Sequence, residues 1–269
     1  MTTIATGGFS SKSGSIGSYN NVNLEALTIL FMILASLPFV LYLKAIRGKP
    51  KDLIGDQQVQ GFFKILVVSI LIVVFYLFLT SNFTFTEILR YSLFNVTSIL
   101  TGTGFTSTNY NDWGTPIILL FLFITFIGGC AGSTTCGVKI FRLQIVFNNS
   151  KEMISKLISP NRVVNKRYNG EHLSPEITQS VITFLFIFIL TFIVLSILLS
   201  FTGLDLLTAF SAAATSISNV GPGLGQVIGP AYSFSQIPEI AKWLLSFGML
   251  AGRLEFLTLI VIFNKSFWR

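Results

Sequence analysis

Five long apolar segments constrain this sequence more than any other feature. Each holds enough residues to cross about 30 Å of hydrocarbon at the 1.5 Å rise of an α-helix. Only 11% of the 269 residues are charged and 52% are apolar, so the chain lacks the polar surface that a water-soluble globule needs. We therefore predict an all-α integral membrane protein. The five segments run from Leu24 to Leu43, Phe62 to Thr80, Pro116 to Phe147, Val181 to Phe201 and Ile240 to Phe263.

Two of these segments contain residues that an uninterrupted transmembrane helix would not tolerate. The third includes a stretch rich in glycine, serine and threonine, from Gly128 to Gly137, and the fifth carries Arg253 and Glu255. Irregular backbone and charge survive at membrane depth only where they face protein or a water-filled cavity. These interruptions therefore predict a polar pathway through the membrane.

The positions of the basic residues predict how the chain is oriented. Cytoplasmic segments of membrane proteins carry an excess of Lys and Arg. The net charge of +7 therefore indicates membrane topology rather than a nucleic-acid partner, because the basic residues lie between apolar runs. The regions predicted to face the cytoplasm hold fourteen of the 18 basic residues, namely Lys44, Arg47, Lys49, Lys51 and Lys64, then Lys139, Arg142, Lys151, Lys156, Arg162, Lys166 and Arg167, and finally Lys265 and Arg269.

Two shorter amphipathic stretches, from Phe85 to Leu100 and from Leu204 to Ile217, are too short to span a bilayer. Each leads into a glycine-rich turn. We predict that both are re-entrant half-helices that enter the membrane from its outer face. Glu87 and Arg90 lie three residues apart on the first of them and are expected to form a local ion pair.

The glycine-rich turns repeat one pattern three times. Residues 5–10 read ATGGFS, residues 101–106 read TGTGFT and residues 218–223 read SNVGPG, with Gly8, Gly104 and Gly221 in register. In K⁺-channel filters, loops of this kind turn backbone carbonyls toward the ion and replace its hydration shell. The pattern predicts repeated units of span, pore helix, filter loop and span, as in a K⁺ channel.

Four motifs extend this similarity to a known family. They are MTTIATGGFS at residues 1–10, SILTGTGFT at 98–106, FIGGCAGST at 126–134 and SNVGPGLG at 218–225. In this order they resemble the Trk/Ktr/HKT superfamily of K⁺ uptake proteins and, within it, the bacterial TrkH type. The resemblance covers nearly the whole chain.

The resemblance implies four such units around one pore, in a multi-pass protein of the bacterial cytoplasmic membrane. It also implies a homodimer embedded in lipid and a cytosolic nucleotide-binding regulatory subunit of the TrkA type. Because the sequence starts inside the match to the second filter, fourfold pseudo-symmetry is expected to be incomplete. The predicted divisions are the end of the second repeat (1–47), a cytoplasmic loop (48–61), the third repeat (62–150), a second cytoplasmic loop (151–176) and the fourth repeat (177–269).

The family's K⁺-binding filter carries over onto three short segments of this sequence. In the last of them Val220 and Pro222 replace the polar and aromatic types found at the matching places, which suggests weaker selectivity than in a symmetric filter. K⁺ is the expected transported ion, and no cofactor is expected in this chain. The filter residues that the resemblance implies are Thr6, Gly7, Gly8, Thr101, Gly102, Thr103, Gly104, Asn219, Val220 and Gly221.

The stretch from Gly128 to Gly137 matches the family's intramembrane loop, which blocks the pore until the regulatory subunit moves it. A close-packed crossing of small residues is the alternative interpretation of this stretch. Arg253 matches a basic residue near the pore, and an ion pair with Glu255 is the alternative for it. The gate residues that the resemblance implies are Gly128, Gly129, Gly132, Ser133, Thr134, Gly137 and Arg253.

Two other classes of function fit the sequence less well than a K⁺ pathway does. Arg253 and Glu255 are the only titratable groups expected at one membrane depth, too few for acid–base catalysis, so an enzyme is not predicted. A secondary cation transporter coupled to H⁺ or Na⁺ remains an alternative, because broken helices at the bilayer midplane are typical of that class as well. Its repeats would alternate in orientation, whereas the predicted filter loops all lie on one side.

Overall fold

The computed structural model of the chain describes residues 1–12, 14–159, 167–253 and 267. Within these residues the fold is helical, apart from a β-hairpin in which β1 (Arg167–Tyr168) pairs with β2 (Glu171–His172). The helical class predicted from the sequence is confirmed. The helices are α1 (Val22–Ser36), α2 (Phe39–Ile46), α3 (Lys51–Gly55), α4 (Gln57–Thr80), α5 (Phe85–Leu100), α6 (Thr115–Phe126), α7 (Ile140–Ile158), α8 (Pro175–Ser200), α9 (Leu206–Ser218) and α10 (Glu239–Arg253).

The apolar segments are less continuous than the sequence suggests. Among the described residues, α4 and α8 are each long and apolar enough to cross a membrane, and α1 with α2 would form a third span that is bent by 95°. The third apolar segment is divided into α6 and α7, as its glycine-rich centre predicts. The last segment is described up to Arg253, and Glu255, Lys265 and Arg269 lie outside the described residues.

The bend between α1 and α2 corrects the prediction of one uninterrupted span from Leu24 to Leu43. Pro38 disfavours the helical conformation in the residue before it, and Leu37 is accordingly extended, with φ −91° and ψ 156°. Helix α1 therefore ends at Ser36, and α2 starts in a new direction. Apolar composition alone carries no signal of this turn.

The two short helices predicted as half-helices are present as α5 and α9, and their entry from the outer face stays a prediction. Helix α5 begins at a capping box, in which the backbone N–H and the hydroxyl of Thr84 both donate to Glu87, at 2.9 and 2.7 Å. Asp205 caps helix α9 directly before Leu206, and its carboxylate accepts from the backbone N–H of Thr208 at 3.2 Å. A carboxylate at each N-terminus also suits the positive end of the helix dipole.

The predicted ion pair between Glu87 and Arg90 is wrong. Glu87 is held by Thr84, while Arg90 donates two hydrogen bonds to the carboxylate of Glu25 in α1, at 2.7 and 2.8 Å. The Glu25 carboxylate is almost fully buried, so a two-pronged guanidinium partner offsets the cost of burying its charge. This bridge fixes α5 against α1.

The half-helices lie inside two neighbouring apolar cores. Helix α5 contacts α1, α4 and α6, whereas α9 contacts α6, α8 and α10. Large buried side chains such as Phe62 and Phe121 belong to the first core, and Phe188 and Leu199 belong to the second. The C-terminal ends of α5 and α9 are thereby held rigidly inside the protein, where the glycine-rich turns begin.

The predicted division into repeats and loops remains a prediction, and the helix bounds refine it. Helix α4 begins at Gln57, inside the predicted loop 48–61, and α7 continues to Ile158, beyond residue 150. The second predicted loop therefore contains the last turns of α7, the hairpin and the first two residues of α8, Pro175 and Glu176.

Candidate functional site

One backbone turn occurs at each of the three glycine-rich motifs. In each turn a backbone N–H donates to the carbonyl five residues earlier, and the preceding N–H donates to the carbonyl three residues earlier. This pair of hydrogen bonds is the Schellman motif that ends helices. We name residues 2–8, 98–104 and 215–221 the first, second and third repeat turns. The longer bonds join Gly7 to Thr2 (2.8 Å), Thr103 to Ser98 (3.0 Å) and Val220 to Thr215 (3.0 Å), and the shorter ones join Thr6 to Thr3 (3.2 Å), Gly102 to Ile99 (3.0 Å) and Asn219 to Ser216 (3.1 Å).

The sign of φ alternates in the same way along all three repeat turns. Two left-handed residues flank one residue of ordinary φ in each turn. In an ordinary strand successive carbonyls point to opposite sides, and a reversal of φ at every second residue can bring them to one side. The left-handed φ angles are +47° at Thr6 and +63° at Gly8, +67° at Gly102 and +79° at Gly104, and +52° at Asn219 and +112° at Gly221.

The repeat turns lie side by side through equivalent contacts. A Cβ atom added to Gly8 would overlap the carbonyl oxygen of Thr103, and one added to Gly104 would overlap the carbonyl oxygen of Val220. Thr103 and Val220 occupy the same place in successive turns. The first turn therefore contacts the second in the same way as the second contacts the third. Rotation about a common axis relates neighbouring segments in this manner.

A cavity of about 650 Å³ opens along these turns. Its lining includes backbone from all three turns, at Gly8, Gly104 and Gly221, and it continues to residues of α10 such as Met249. The described residues place no atom within 4 Å of a Cβ on Gly221, so this turn faces open space. Seven of the ten predicted filter residues line this cavity, namely Gly7, Gly8, Thr103, Gly104, Asn219, Val220 and Gly221. The other three, Thr6, Thr101 and Gly102, adjoin them in the turns, and the Thr101 hydroxyl lies 2.8 Å from that of Thr103.

The 127–139 loop between α6 and α7 is the predicted gate segment. At its base Gly128 donates to Val138 and Val138 donates to Phe126, at 3.1 and 2.8 Å. Gly128 lies so close to the carbonyl of Cys136 that a Cβ would overlap it. Inside the loop the Ser133 and Thr135 hydroxyls lie 2.7 Å apart, and Gly129 donates to Thr135 at 3.0 Å. The loop is therefore folded on itself rather than helical; two further predicted residues, Gly132 and Gly137, have left-handed φ angles of +77° and +78°.

Hydrogen bonds attach this loop to the first repeat turn and to α1. The Thr134 hydroxyl donates to the carbonyls of Ile4 (3.0 Å) and Ala35 (3.2 Å). In return, the Thr6 hydroxyl donates to the Thr134 carbonyl at 3.0 Å and shares its proton with its own neighbour Ala5 at 2.8 Å. Thr134 is thus the predicted gate residue that contacts a predicted filter residue directly.

Arg253 binds the same loop from the end of α10. Its Nη1 atom donates to the Thr134 carbonyl at 3.1 Å and to the Cys136 sulfur at 2.7 Å. A second cavity, of about 240 Å³, is lined by residues 133–137 of the loop and by Arg253, Lys139 and Arg142. The alternative partner, Glu255, lies outside the described residues, so the ion-pair interpretation stays open.

Three polar residues near the loop, Gln58, Asp56 and Asn169, were not predicted from the sequence. Gln58, in the first turn of α4, accepts the backbone N–H of Ala131 at 2.8 Å. Asp56 caps α4 by accepting from Gln58, and its other carboxylate oxygen accepts from Asn169 of the hairpin at 2.8 Å. The only hint in the sequence is an Asp directly before a helix, which predicts a cap but no distant partner.

The β-hairpin is attached to the same region through Tyr168 and Asn169. The Tyr168 hydroxyl donates to the Gln144 side chain of α7 at 2.6 Å, and the side-chain amide oxygen of Asn169 accepts from the backbone N–H of Gln57 at 2.9 Å. Burial and the nearby Asp56 carboxylate raise the pKa of Tyr168 above its ordinary value, so the phenol stays protonated and able to donate. The hairpin, α4, α7 and the loop are therefore connected by hydrogen bonds.

Known proteins match the chain over its full length. Residues 1–269 match the TrkH family model, described as cation transport protein. The Trk system potassium uptake protein TrkI of Halomonas elongata is 44% identical over 270 residues, which cover 100% of this chain and 55% of that protein. The Trk system potassium uptake protein TrkH of Vibrio parahaemolyticus is 35% identical over 275 residues, covering 100% of this chain and 56% of that protein.

The fold agrees with these matches. The crystal structure of the potassium transporter TrkH from Vibrio parahaemolyticus superposes with a TM-score of 0.93 at 33% identity and covers 100% of this chain and 57% of that one. The chain therefore spans about half the length of the relatives that it matches. With a family match from its first residue to its last, the chain belongs to the TrkH family of cation transport proteins.

Proposed function

We propose that this chain forms part of a K⁺ uptake pathway, in which the three repeat turns are three filter segments around one axis. The observation that carries the proposal is the repetition of one Schellman turn, with the same alternation of φ and the same lateral contact. Relatives named as potassium uptake proteins support the choice of ion. Transport rather than catalysis is the activity that these relatives support.

In this proposal the ion is held by backbone carbonyls of the repeat turns. Carbonyl oxygens can replace the hydration shell of K⁺ only if several of them approach one axis. Gly8 and Gly104 permit that approach, because each lies against a carbonyl of the next turn. Val220 stands where the second turn has the polar Thr103, and Pro222, directly after the third turn, stands where Phe105 follows the second. We expect both replacements to weaken discrimination between K⁺ and Na⁺.

The 127–139 loop and Arg253 form the gate in this proposal. The loop is bound to the first repeat turn through Thr134 and to α10 through Arg253, so it bridges two sides of the pathway. A fixed guanidinium beside a cation pathway opposes passage electrostatically. Displacing the loop would remove the steric barrier and would release the Arg253 guanidinium from the Thr134 carbonyl.

The setting proposed for the chain is a bacterial cytoplasmic membrane, crossed several times and surrounded by lipid. The basic residues at Lys44, Lys49 and Lys151 support a cytoplasmic position of the connecting segments by the positive-inside rule. By similarity to the family, the protein works as a homodimer with a nucleotide-binding subunit of the TrkA type. That subunit would act from the side that carries the hairpin and the first turn of α4.

A coupled secondary transporter is the second candidate, and two broken helices favour it. The α1–α2 bend and the division of α6 from α7 both resemble the discontinuous helices of that class. The repeat turns favour a channel-like pore. The contact of Gly8 with Thr103 recurs as the contact of Gly104 with Val220, and inverted repeats would not preserve this recurrence. Rb⁺ uptake measured with the H⁺ and Na⁺ gradients collapsed distinguishes the two candidates. A channel-like pathway needs only the membrane potential and neither of these gradients.

The test of the proposed function uses a chimera, here named the TrkI chimera. In it these 269 residues replace the matching 55% of Halomonas elongata TrkI. We expect the TrkI chimera to restore growth of K⁺-uptake-deficient cells at low K⁺, because its other half completes the ring. We expect residues 1–269 expressed alone to fail at equal membrane levels, because three segments leave the ring open. Failure of the TrkI chimera, or growth on residues 1–269 alone, would contradict the proposal.

A further inference from the structure

The C-terminal end of α9 is joined to α10 by two hydrogen bonds one helical turn apart. The Ser216 hydroxyl donates to the carbonyl of Leu245 at 2.6 Å, and the Asn219 side-chain amide donates to the carbonyl of Met249 at 3.0 Å. Leu245 and Met249 are four residues apart, so they lie on one face of α10. The third repeat turn is therefore attached to α10 by a side chain of the turn itself.

Two glycines of α10 make this attachment possible. Gly248 lies against the Ser216 side chain, and a Cβ at Gly252 would overlap the carbonyl of Ile217. The same added Cβ would lie 3.1 Å from the Asn219 amide nitrogen. Small residues four apart allow this close approach of helices in membranes. Asn219 reaches a backbone carbonyl of α10 because the backbones of α9 and α10 are so close.

The residues equivalent to Asn219 in the other two turns make different contacts. Thr6 donates to the 127–139 loop at Thr134, and Gly102 has no side chain. All three residues share the left-handed conformation of the Schellman turn. The backbone conformation is therefore common to the three turns, while the anchoring of each turn is individual.

We propose that Asn219 is a positioning residue for ion selection, whose carboxamide fixes the third repeat turn to α10 and does not bind the ion. This inference rests on the proposed function and refines the sequence prediction that Asn219 contributes to the filter. Met249 and Arg253 are one turn apart on α10, and Arg253 holds Thr134. Thr134 in turn accepts from Thr6, so α10 and the 127–139 loop connect the third turn to the first.

The substitution Asn219→Gly in the TrkI chimera separates the effect of the side-chain amide from the effect of the backbone conformation. Glycine adopts φ +52° without strain, and it already occupies the equivalent position at Gly102. The variant therefore loses the hydrogen bond to Met249 and keeps the turn. We expect discrimination of Rb⁺ against Na⁺ to fall about two- to tenfold, which is the range that a net hydrogen bond supplies.

Ser196→Ala in α8 is the matched control, since it removes one side-chain hydrogen bond to a backbone carbonyl, from the buried Ser196 to Phe192 at 2.8 Å, outside the three repeat turns. We expect it to lower the melting temperature of the purified protein about as much as Asn219→Gly does, with discrimination unchanged. Unchanged discrimination in Asn219→Gly, or equal losses of discrimination in both variants, would overturn the positioning role. Loss of K⁺ uptake by the unsubstituted TrkI chimera would instead overturn the proposed function.

Discussion

Thr6 and Arg253 donate hydrogen bonds to the same atom, the carbonyl oxygen of Thr134, at 3.0 and 3.1 Å. One residue belongs to the first repeat turn and the other ends α10, and 247 positions separate them in the sequence. A single carbonyl of the 127–139 loop thus joins a predicted filter segment to the helix that supports another.

Arg253 contributes a charge and a hydrogen-bond donor, and two substitutions separate these contributions. Arg253→Ala removes both, whereas Arg253→Gln removes the charge and keeps an amide that can donate. A unit charge 4 Å from the ion path opposes a cation by up to about 4 kcal/mol at a partly buried effective dielectric constant. We expect basal Rb⁺ flux through TrkI chimeras in liposomes to rise in both variants if the charge dominates. A rise in Arg253→Ala alone would assign the barrier to the bond with Thr134, and unchanged flux in both would exclude Arg253 from the gate.

Deletion of residues 131–135 tests the loop itself. Its base is closed by the bonds of Val138 with Gly128 and Phe126, which lie outside the deleted part. We therefore expect a folded TrkI chimera with higher basal flux and weaker dependence on the cytosolic subunit. A tightly packed crossing of small residues would instead lose folding and flux together. Membrane abundance and flux recordings distinguish these results, and a well-expressed deletion with normal regulation would contradict the gate.

Glycine substitutions in the repeat turns should differ in severity. Serine at Gly104 would place a Cβ on the Val220 carbonyl and would also strain a φ of +79°. Serine at Gly221 meets no described atom within 4 Å and carries the backbone strain alone. We expect Gly104→Ser to lower Rb⁺ affinity more than Gly221→Ser in uptake assays. Gly55→Ser, at an exposed site with open space, is the control, and equal effects at Gly104 and Gly55 would remove the second turn from the pathway.

Gln58 links the first turn of α4 to the 127–139 loop through Ala131. Gln58→Met keeps the size of the side chain and removes the acceptor, whereas Gln58→Glu keeps an acceptor oxygen. Since the Ala131 N–H would lose its partner, we expect Gln58→Met to raise basal flux about two- to tenfold, and Gln58→Glu to stay near the parent TrkI chimera. The reverse order, measured as Rb⁺ efflux without the cytosolic subunit, would contradict this role.

The half-helices were the most predictable elements because their signals are local. The sequence interpretation places a half-helix from Phe85 to Leu100, and α5 has these bounds. An N-terminal Thr with Glu three residues later and a glycine just past the end mark such a helix without tertiary information. Periodicity alone placed α9 two residues early, and the carboxylate of Asp205 sets its true start.

Contacts between distant residues were not predictable from local patterns. Arg90 has Glu87 within reach along its helix, yet it binds Glu25, which is 65 positions away. The bonds from Gln58 to Ala131 and from Asn219 to Met249 join segments whose proximity depends on the complete fold. The predicted filter and gate residues lie near each other, but their roles in ion passage remain predictions until the variants are measured.

The bend at Pro38 leaves the carbonyls of Ala35 and Ser36 without partners inside α1, and donors from the 127–139 loop satisfy them. Cys130 donates to Ser36 at 2.9 Å, and Thr134 donates to Ala35. A loop that moved away would expose these carbonyls, at several kcal/mol for each group that met lipid instead of water. If the loop is the gate proposed above, its opening is expected to be a hydration step, in which water molecules enter and take over the bonds that the loop releases. Osmolytes too large to enter the pathway should consequently shift the pore toward its closed state, with flux falling as osmotic pressure rises.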